Sequence, residues 1–587
     1  MAPPDATPRK LVTPARLALA AILLGALAVR LYGLKHGLPY VHHSDEWDHF
    51  TSVAVGMFGG DYNPHYFQNP SAFTYLVHIA LRFQFGDEIF DEYAMDPTEI
   101  YVTGRLVAVA LSLLGVAAVY MAGRRLWGAM EGLAAAAVLA FAFLVVAYSR
   151  FALTDVGVLA PVALALYGIV MIREDGALRY FVIAGLGLGL TVSFKYTAGL
   201  VLVPLLAAVV LRARRERAPL PEAVIGGLFV GGVGLAAFLA TNPYFLLDLG
   251  DAVDQLRTQY DSAGKTKVGQ ASEDPYGFYP STLTWALGWG ALIAAAAGFV
   301  SELRRDRVRA LLLAAFPLLL FLYLASDAER YFARWLLPAY PVLALFAGVA
   351  LARAARAIAR KPALQLAALG VLAAVVVAQP LIASVRTGAV LRNDDTREIA
   401  RRFMLEELPA GTKVVIEPAL RRAYDLPTLG IRPRPGEPHL VRRFGPPVAG
   451  VGGRPSPARN VRFVLDLEPG RIDSYRSAGH CVVVTGGWLR QRAKVARLEP
   501  ALAYYDRLAR ESKVLFRVDP YTDGADEHDF DFDRSTHIYH PAADFERPGP
   551  EVVVYRLDDC SDGRVSSPPQ PSYEDWFPPI RGLTQTG

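Results

Sequence analysis

Long apolar runs separated by short polar breaks occupy the chain as far as about residue 383 and then stop. The first run, Ala15 to Leu34, is long enough to cross a bilayer as a helix. The breaks alternate in character. Arg124-Arg125, Arg173 with Arg179, Arg212 to Arg217, Arg304 to Arg309 and Arg353 to Lys361 are short and basic. Cytoplasmic loops carry an excess of Arg and Lys, so these breaks are assigned to the inside. Residues 35–100, Tyr148 to Asp155, the Lys195 region, 242–280 and Ser326 to Arg334 then face out. Residues 180–211 lie between two basic breaks, so parity requires two crossings that turn near Lys195-Tyr196. The pattern predicts a mainly α-helical polytopic membrane protein with about eleven transmembrane helices, an inside N-terminus and an outside C-terminus.

The first outer loop, residues 35–100, holds ten Asp or Glu and only two Lys or Arg. Its apolar and aromatic stretch Phe67 to Phe85 is expected to lie as amphipathic helix at the interface. Residues 385–587 read as a separate soluble α/β domain on the outer side, after a membrane domain spanning 1–384. Thr396 to Leu408 has helical spacing and ends at Pro409-Ala410-Gly411. Leu502 to Arg510 reads as a second helix. Lys413 to Ile416, Val461 to Leu465, Cys481 to Thr485, Val514 to Val518 and Val552 to Tyr555 read as short strands, with Pro- and Gly-rich linker over 432–458.

Composition agrees. Of 587 residues, 53% are apolar, too many for an ordinary soluble protein. The net charge of +4 is small and its basic residues sit in topogenic loops, which argues against a nucleic-acid partner. The two cysteines, Cys481 and Cys560, lie in the polar C-terminal part without zinc spacing. A disulfide and two unrelated thiols are both open readings.

The candidate chemistry lies at the outer boundary. His42-His43-Ser44-Asp45-Glu46-Trp47-Asp48-His49 follows the first helix. A carboxylate held there is placed to take a proton from a hydroxyl at the lipid–water boundary. Asp45 and Glu46 are the candidate catalytic pair, one as base and the other as a structural or hydroxyl-binding group, because neighbouring residues point in different directions. His42, His43 and His49 near Asp48 are ligand types for a divalent metal, although no defined metal spacing is present. Arg150, Lys195, Arg330 and Arg334 are cations at the outer boundary, each costing about 2–3 kcal/mol next to hydrocarbon unless compensated. A lipid-linked phosphate would compensate them, as would Asp155, Asp327 and Glu329.

In these features the chain resembles the GT-C superfamily of membrane glycosyltransferases, in the branch of protein O-mannosyltransferases and aminoarabinose transferases of lipid A. The resemblance rests on Asp45-Glu46 after the first helix, Phe67-Gln68-Asn69-Pro70-Ser71, the Arg150-Phe151 to Asp155 turn, Phe194-Lys195-Tyr196, and Arg330-Tyr331 before Pro338. It implies transfer of a sugar from a polyprenyl-phosphate donor at the outer face of the cytoplasmic membrane. The acceptor would be a lipid, glycan or protein. Asp45 would be the general base with Glu46 beside it. Arg150, Lys195 and Arg330 or Arg334 would neutralise the leaving phosphate, and Asp155 would orient a cation or the sugar. His43, Gln68 and Asn69 are further candidates for positioning substrate, the amides through sugar hydroxyls. Aminoarabinose transferases tend to carry Lys-Pro-Pro where this chain has Asn69-Pro70-Ser71, which points to a different sugar or a rearranged phosphate site. A transporter or lipid flippase is the alternative, and it predicts ionisable groups near the midplane of two repeated halves.

Overall fold

Proline opens several of the helices, where its missing N–H costs nothing, as in Pro14–Leu31, Leu220–Thr241 and Pro362–Leu391. The computed structural model describes residues 14–43, 45–263, 268–270, 274–326, 330–409, 412–417, 420, 441–443, 467–525, 530–533 and 544–563. Among these, nine helical segments are long and apolar enough to cross a membrane, and two shorter apolar helices, Ala129–Phe141 and Leu178–Phe194, bring the set to eleven. The chain is a multi-pass membrane protein. The shorter helix Ala129–Phe141 breaks at Ala142, whose ψ of 125° leaves the helical region, and resumes as Phe143–Tyr148. The helix Leu178–Phe194 ends at an extended Lys195 and the chain re-enters helix through Tyr196–Val201 and Leu202–Glu216. The break falls where parity requires the turn.

Helices pack closely where side chains are absent. A Cβ on Gly189 of Leu178–Phe194 would lie 2.1 Å from the Gly234 carbonyl oxygen of Leu220–Thr241. Only glycine permits that approach, and in lipid such contact replaces the hydrophobic drive that water would supply. Buried polar groups tie the bundle further. Arg30, fully buried, donates to Ser112 Oγ at 3.0 Å and to the Ala26 and Ala140 carbonyls at 2.9 Å each. Near the basic breaks, Arg356 pairs with Glu131, and Arg309 and Arg353 share the fully buried Glu302.

The long segment after the first helix, expected as an outer loop, is folded against the bundle. It contains a π-helical turn Glu46–Thr51, then Ser52–Gly56, Ala72–Phe85 and Ile89–Met95. In Ala72–Phe85 the Phe73, Val77 and Leu81 side chains are buried while Ile79 and Phe83 are exposed, the latter at 86%. Apolar residues on the exposed side suit a helix resting on lipid.

The C-terminal part holds a five-stranded sheet of β1 (Lys413–Ile416), β2 (Val441–Arg443), β3 (Val482–Gly486), β4 (Ser512–Val518) and β5 (Val552–Leu557), in the order β2-β1-β3-β5-β4. β1 runs parallel to β2 and β3, whereas β5 is antiparallel to β3 and β4. Helices cover both faces, so the inner strands read as unbroken Val runs. Val415, Val483 and Val553 pack on one face with Ile472, Tyr504 and Leu508. Val414, Val482, Val484 and Val554 pack on the other with Ala400 and Met404 of Thr396–Glu407. Cys481 and Cys560 are joined as a disulfide that closes a sequence separation of 79. Four of the expected strands and both expected helices correspond to observed elements; Val461 to Leu465 lies outside the described residues. The sequence reading missed β2, placed in its linker, and the helices Arg471–Ser477 and Gly487–Val495.

Candidate active site

The residues around Asp45 are fixed first by a buried ion pair. Glu46 is fully buried, and its two carboxylate oxygens accept from Arg105 Nε at 2.7 Å and Nη2 at 2.8 Å. Oε1 also accepts from the Ala152 backbone N–H at 2.9 Å. Arg105 Nη1 donates to the Leu34 and His36 carbonyls at 2.5 and 2.9 Å. One guanidinium on the helix Thr98–Leu126 thus pins the chain leaving the first helix, the Glu46 turn and the 150s loop to one another. Of the two roles expected for the pair, this geometry gives Glu46 that of a structural anchor, with three of its acceptor positions occupied. Arg105 was missed altogether. A lone Arg inside an apolar run is costly and therefore informative, and that was the signal available.

Asp45 begins the π-helical turn, and its carboxylate, 27% exposed, meets Arg334 Nη2 at 2.8 Å. Arg334 also lies over the Phe332 ring at 5.1 Å and the Tyr148 ring at 5.9 Å, which hold the guanidinium by cation–π attraction. Next to this pair, Lys195 Nζ contacts Asp155 Oδ1 at 2.5 Å. The charges of Asp155, Arg334 and Asp45 all act on Lys195. Two carboxylates and two cations from four distant segments therefore share one field.

Local packing sets the second pair. Thr154 Oγ1 donates to the Phe194 carbonyl at 3.0 Å, which joins the loop before Asp155 to the helix end before Lys195. Gly157 lets the Phe194 ring lie against the backbone: a Cβ there would meet Phe194 Cδ1 at 2.3 Å.

The other expected residues lie elsewhere. Arg150 is fully buried and its Nη2 donates to the Val29 and Ser384 carbonyls at 2.8 and 2.9 Å, so it ties the first helix to Pro362–Leu391. These bonds run to the backbone and not to Asp45, Lys195 or Arg334. Arg330 lies on the same segment as Arg334 and is half-buried; Asp327 and Glu329 lie outside the described residues. His43 is buried with its ring 4.8 Å from Phe151. Asn69 Nδ2 donates to the Tyr66 hydroxyl at 2.6 Å, and Gln68 sits beside it, partly buried.

The expected histidine ligands do not converge. His42 approaches Asp395 and Glu398 at 3.8 and 3.7 Å, His43 faces Phe151, and His49 stacks on Tyr66 at 4.4 Å. Among the described residues, the group with metal-ligand spacing is His65, Asp248 and Asp251, whose ligand atoms lie within 4.8 Å of one another. His65 Nε2 already bonds Asp61 Oδ2 there at 2.8 Å.

The family model described as dolichyl-phosphate-mannose-protein mannosyltransferase matches residues 101–240. No curated protein matches the chain. Among solved structures, ArnT from Cupriavidus metallidurans in the apo state is similar with a TM-score of 0.50 at 15% identity, over 92% of this chain and 98% of that one. The same protein bound to undecaprenyl phosphate gives 0.49 at 16%, over 93% and 99%. The oligosaccharyltransferase of Archaeoglobus fulgidus in the apo form gives 0.51 at 14%, over 86% and 73%. At such identities the likeness is one of fold. The chain has the GT-C fold and resembles the O-mannosyltransferase and ArnT branch, as the sequence motifs imply.

Proposed function

We propose that this chain is a membrane glycosyltransferase that moves a monosaccharide from a polyprenyl-phosphate donor to the hydroxyl of a lipid, polysaccharide or protein. The observation that carries the reading is the Asp45–Arg334 pair beside the Lys195–Asp155 pair. It supplies a partly exposed base and two cations in one field, in a chain whose residues 101–240 match a family of polyprenyl-phosphate-sugar enzymes.

At rest Arg334 is the partner of Asp45. A donor phosphate offers Arg334 and Lys195 a competing anion, which leaves the Asp45 carboxylate able to accept the acceptor's proton. The acceptor oxygen then bonds to the anomeric carbon. The bond from that carbon to the phosphate oxygen breaks, and its electron pair leaves with the phosphate, stabilised by the two cations. A single displacement inverts the anomeric carbon. Asp155 holds Lys195, and Arg330 extends the basic surface. His43, Gln68 and Asn69 are assigned to the acceptor and sugar side. Arg150 stands apart from the Arg334–Lys195 pair, with Nη2 bonded to backbone carbonyls, but its buried Nε and Nη1 have no protein partner among the described residues and keep it a candidate for an anion.

We assign residues 1–384 to the catalytic membrane domain and 385–587 to an α/β domain on the outer side of the cytoplasmic membrane, with the N-terminus inside. The loop charges support this orientation, and so does a disulfide between Cys481 and Cys560, a bond kept in oxidising compartments. The test is transfer from radiolabelled polyprenyl-phosphate sugars in membranes, native against Asp45→Asn at equal expression. Loss of transfer by on the order of 10²–10⁴ in the variant agrees with a base. Equal transfer removes Asp45 from that role, and transfer from no donor, in an assay where other transferases of this fold work, removes the reading.

A further inference from the structure

The segment that carries Arg334 is held from the outer domain. Phe332 is extended, with φ −140° and ψ 135°, and Ala333 then opens a 3-10 turn that runs to Ala339. The first N–H groups of such a turn have no partner within it. That of Ala333 donates to Asp533 Oδ2 at 2.9 Å across a sequence separation of 200. Asp533 is 2% exposed. Its neighbour Phe532 packs edge-on against Phe332 at 6.2 Å, and Arg492 lies over the Phe532 ring at 5.2 Å. Arg492 Nε also donates to the Val268 carbonyl at 2.8 Å, and Gln270 from that turn donates through Nε2 to the Tyr331 carbonyl at 3.0 Å. The helix Gly487–Val495, which bears Arg492, thus reaches residues 331–333 by two routes.

We infer that Asp533 is a positioning residue of the active site: by holding the Ala333 amide it sets the backbone from which Arg334 reaches Asp45. The consequence for donor binding rests on the function proposed above; the positioning itself does not. A carboxylate acceptor gives a stronger bond than a neutral one, and it is supplied by a domain folded apart from the bundle. Misplacement of a charged group by even about 1 Å is enough to cost a site most of its efficiency. The outer domain therefore completes the site through the backbone that carries Arg334.

The experiment uses the full chain in nanodiscs, as native, Asp533→Ala and Asp533→Asn. Amide exchange across 330–340, binding of decaprenyl phosphate and sugar transfer are measured on each. In Asp533→Ala exchange rises across 330–340, and decaprenyl phosphate binds on the order of 10-fold more weakly, the loss expected of one hydrogen bond to a charged group. The KM for donor rises by more than kcat falls. Asp533→Asn, whose amide oxygen can still accept from Ala333, restores most of each. Unchanged exchange and binding in Asp533→Ala overturn the proposal. So does a variant whose only defect is a smaller folded fraction with native KM. If native protein neither binds the phosphate nor transfers sugar, the glycosyltransferase reading fails, and the exchange data alone decide the role of Asp533.

Discussion

Arg334 and Asp45 meet at 2.8 Å although they come from opposite ends of the membrane part. The carboxylate is 27% exposed and the guanidinium 13%, so the pair is open to an incoming anion but not dissolved in water. Such a pair is both a brake and a reserve. In the proposed function it keeps the Asp45 carboxylate occupied until a donor phosphate arrives, and it keeps the cation in place meanwhile.

Replacing Arg334 by Ala removes the cation and leaves Asp45 without that partner. Transfer efficiency is expected to fall on the order of 10²–10³, the size of losing one electrostatic stabiliser of a leaving group. Arg334→Lys keeps the charge but not the planar fork, and falls between the two. A donor concentration series for each variant checks this. An unaltered kcat/KM in Arg334→Ala would sink the assignment.

Glu46 calls for a different outcome. Glu46→Gln leaves the Arg105 guanidinium buried beside a neutral amide, and breaking one side of a buried pair costs about 3–5 kcal/mol. Reduced thermal stability in detergent and poor yield are expected before any kinetic effect. The double variant Glu46→Gln/Arg105→Met, which removes both charges, is expected to recover part of the loss. If Glu46→Gln is as stable as native yet inactive, Glu46 belongs to the chemistry after all.

That contrast marks how far the sequence could be read. The apolar runs and the charge of the loops between them were enough to place the break at Lys195 and to anticipate about eleven apolar segments, because span length and the bias of Arg and Lys constrain each other. The same reasoning gathered Asp45, Lys195, Asp155 and Arg334 at one boundary. It could not separate Asp45 from Glu46, since adjacent residues differ only in which way a turn aims them, and the aim is set by Arg105 from the helix Thr98–Leu126. Nor could it separate Arg150 from Arg334, because a cation that caps carbonyls and a cation that meets a carboxylate look alike in a string of letters. β2, three residues inside a Gly- and Pro-rich stretch, and the two short helices of seven and nine residues carry too little periodicity to be recognised.

Gly157 gives a test of the second pair. In Gly157→Ala the new Cβ would sit 2.3 Å from Phe194 Cδ1, so the ring or the helix end must move. Overpacking of this kind costs about 1–3 kcal/mol. Since Lys195 follows Phe194 directly, the displacement also reaches the ammonium, and the KM for donor is expected to rise. A variant with lowered thermal stability but native KM would show that the Phe194 contact serves packing alone.

Glu417 makes one contribution to the pH dependence of the C-terminal part's stability. It is 3% exposed, accepts from the Gly486 N–H at 2.8 Å and from the Tyr505 hydroxyl at 2.7 Å, and burial pushes its carboxyl from 4.5 up to about 7. The folded domain therefore keeps this proton over a range in which the unfolded chain has lost it. The Glu417 contribution is full below about pH 4.5, falls as pH rises towards 7, and is lost, about 3 kcal/mol of it, above that. Glu417→Gln is expected to flatten the slope in thermal unfolding of the outer domain, followed in the full chain between pH 4 and 8 at roughly one-unit steps. An identical slope in native and variant would place the titration elsewhere.

The separation in sequence between the partners fixes an order of events during synthesis. Chains fold from the N-terminus as they are made. Glu46 finds Arg105 early, and Asp155 finds Lys195 soon after. Asp45 must wait for residue 334, and the Ala333 amide for residue 533. A nascent chain that ends after its last membrane helix already holds both Asp45 and Arg334 and lacks the acceptor for the Ala333 amide. The segment between the last two strands is thus among the last parts made, and it fixes the backbone beside the partner of the first loop's Asp45.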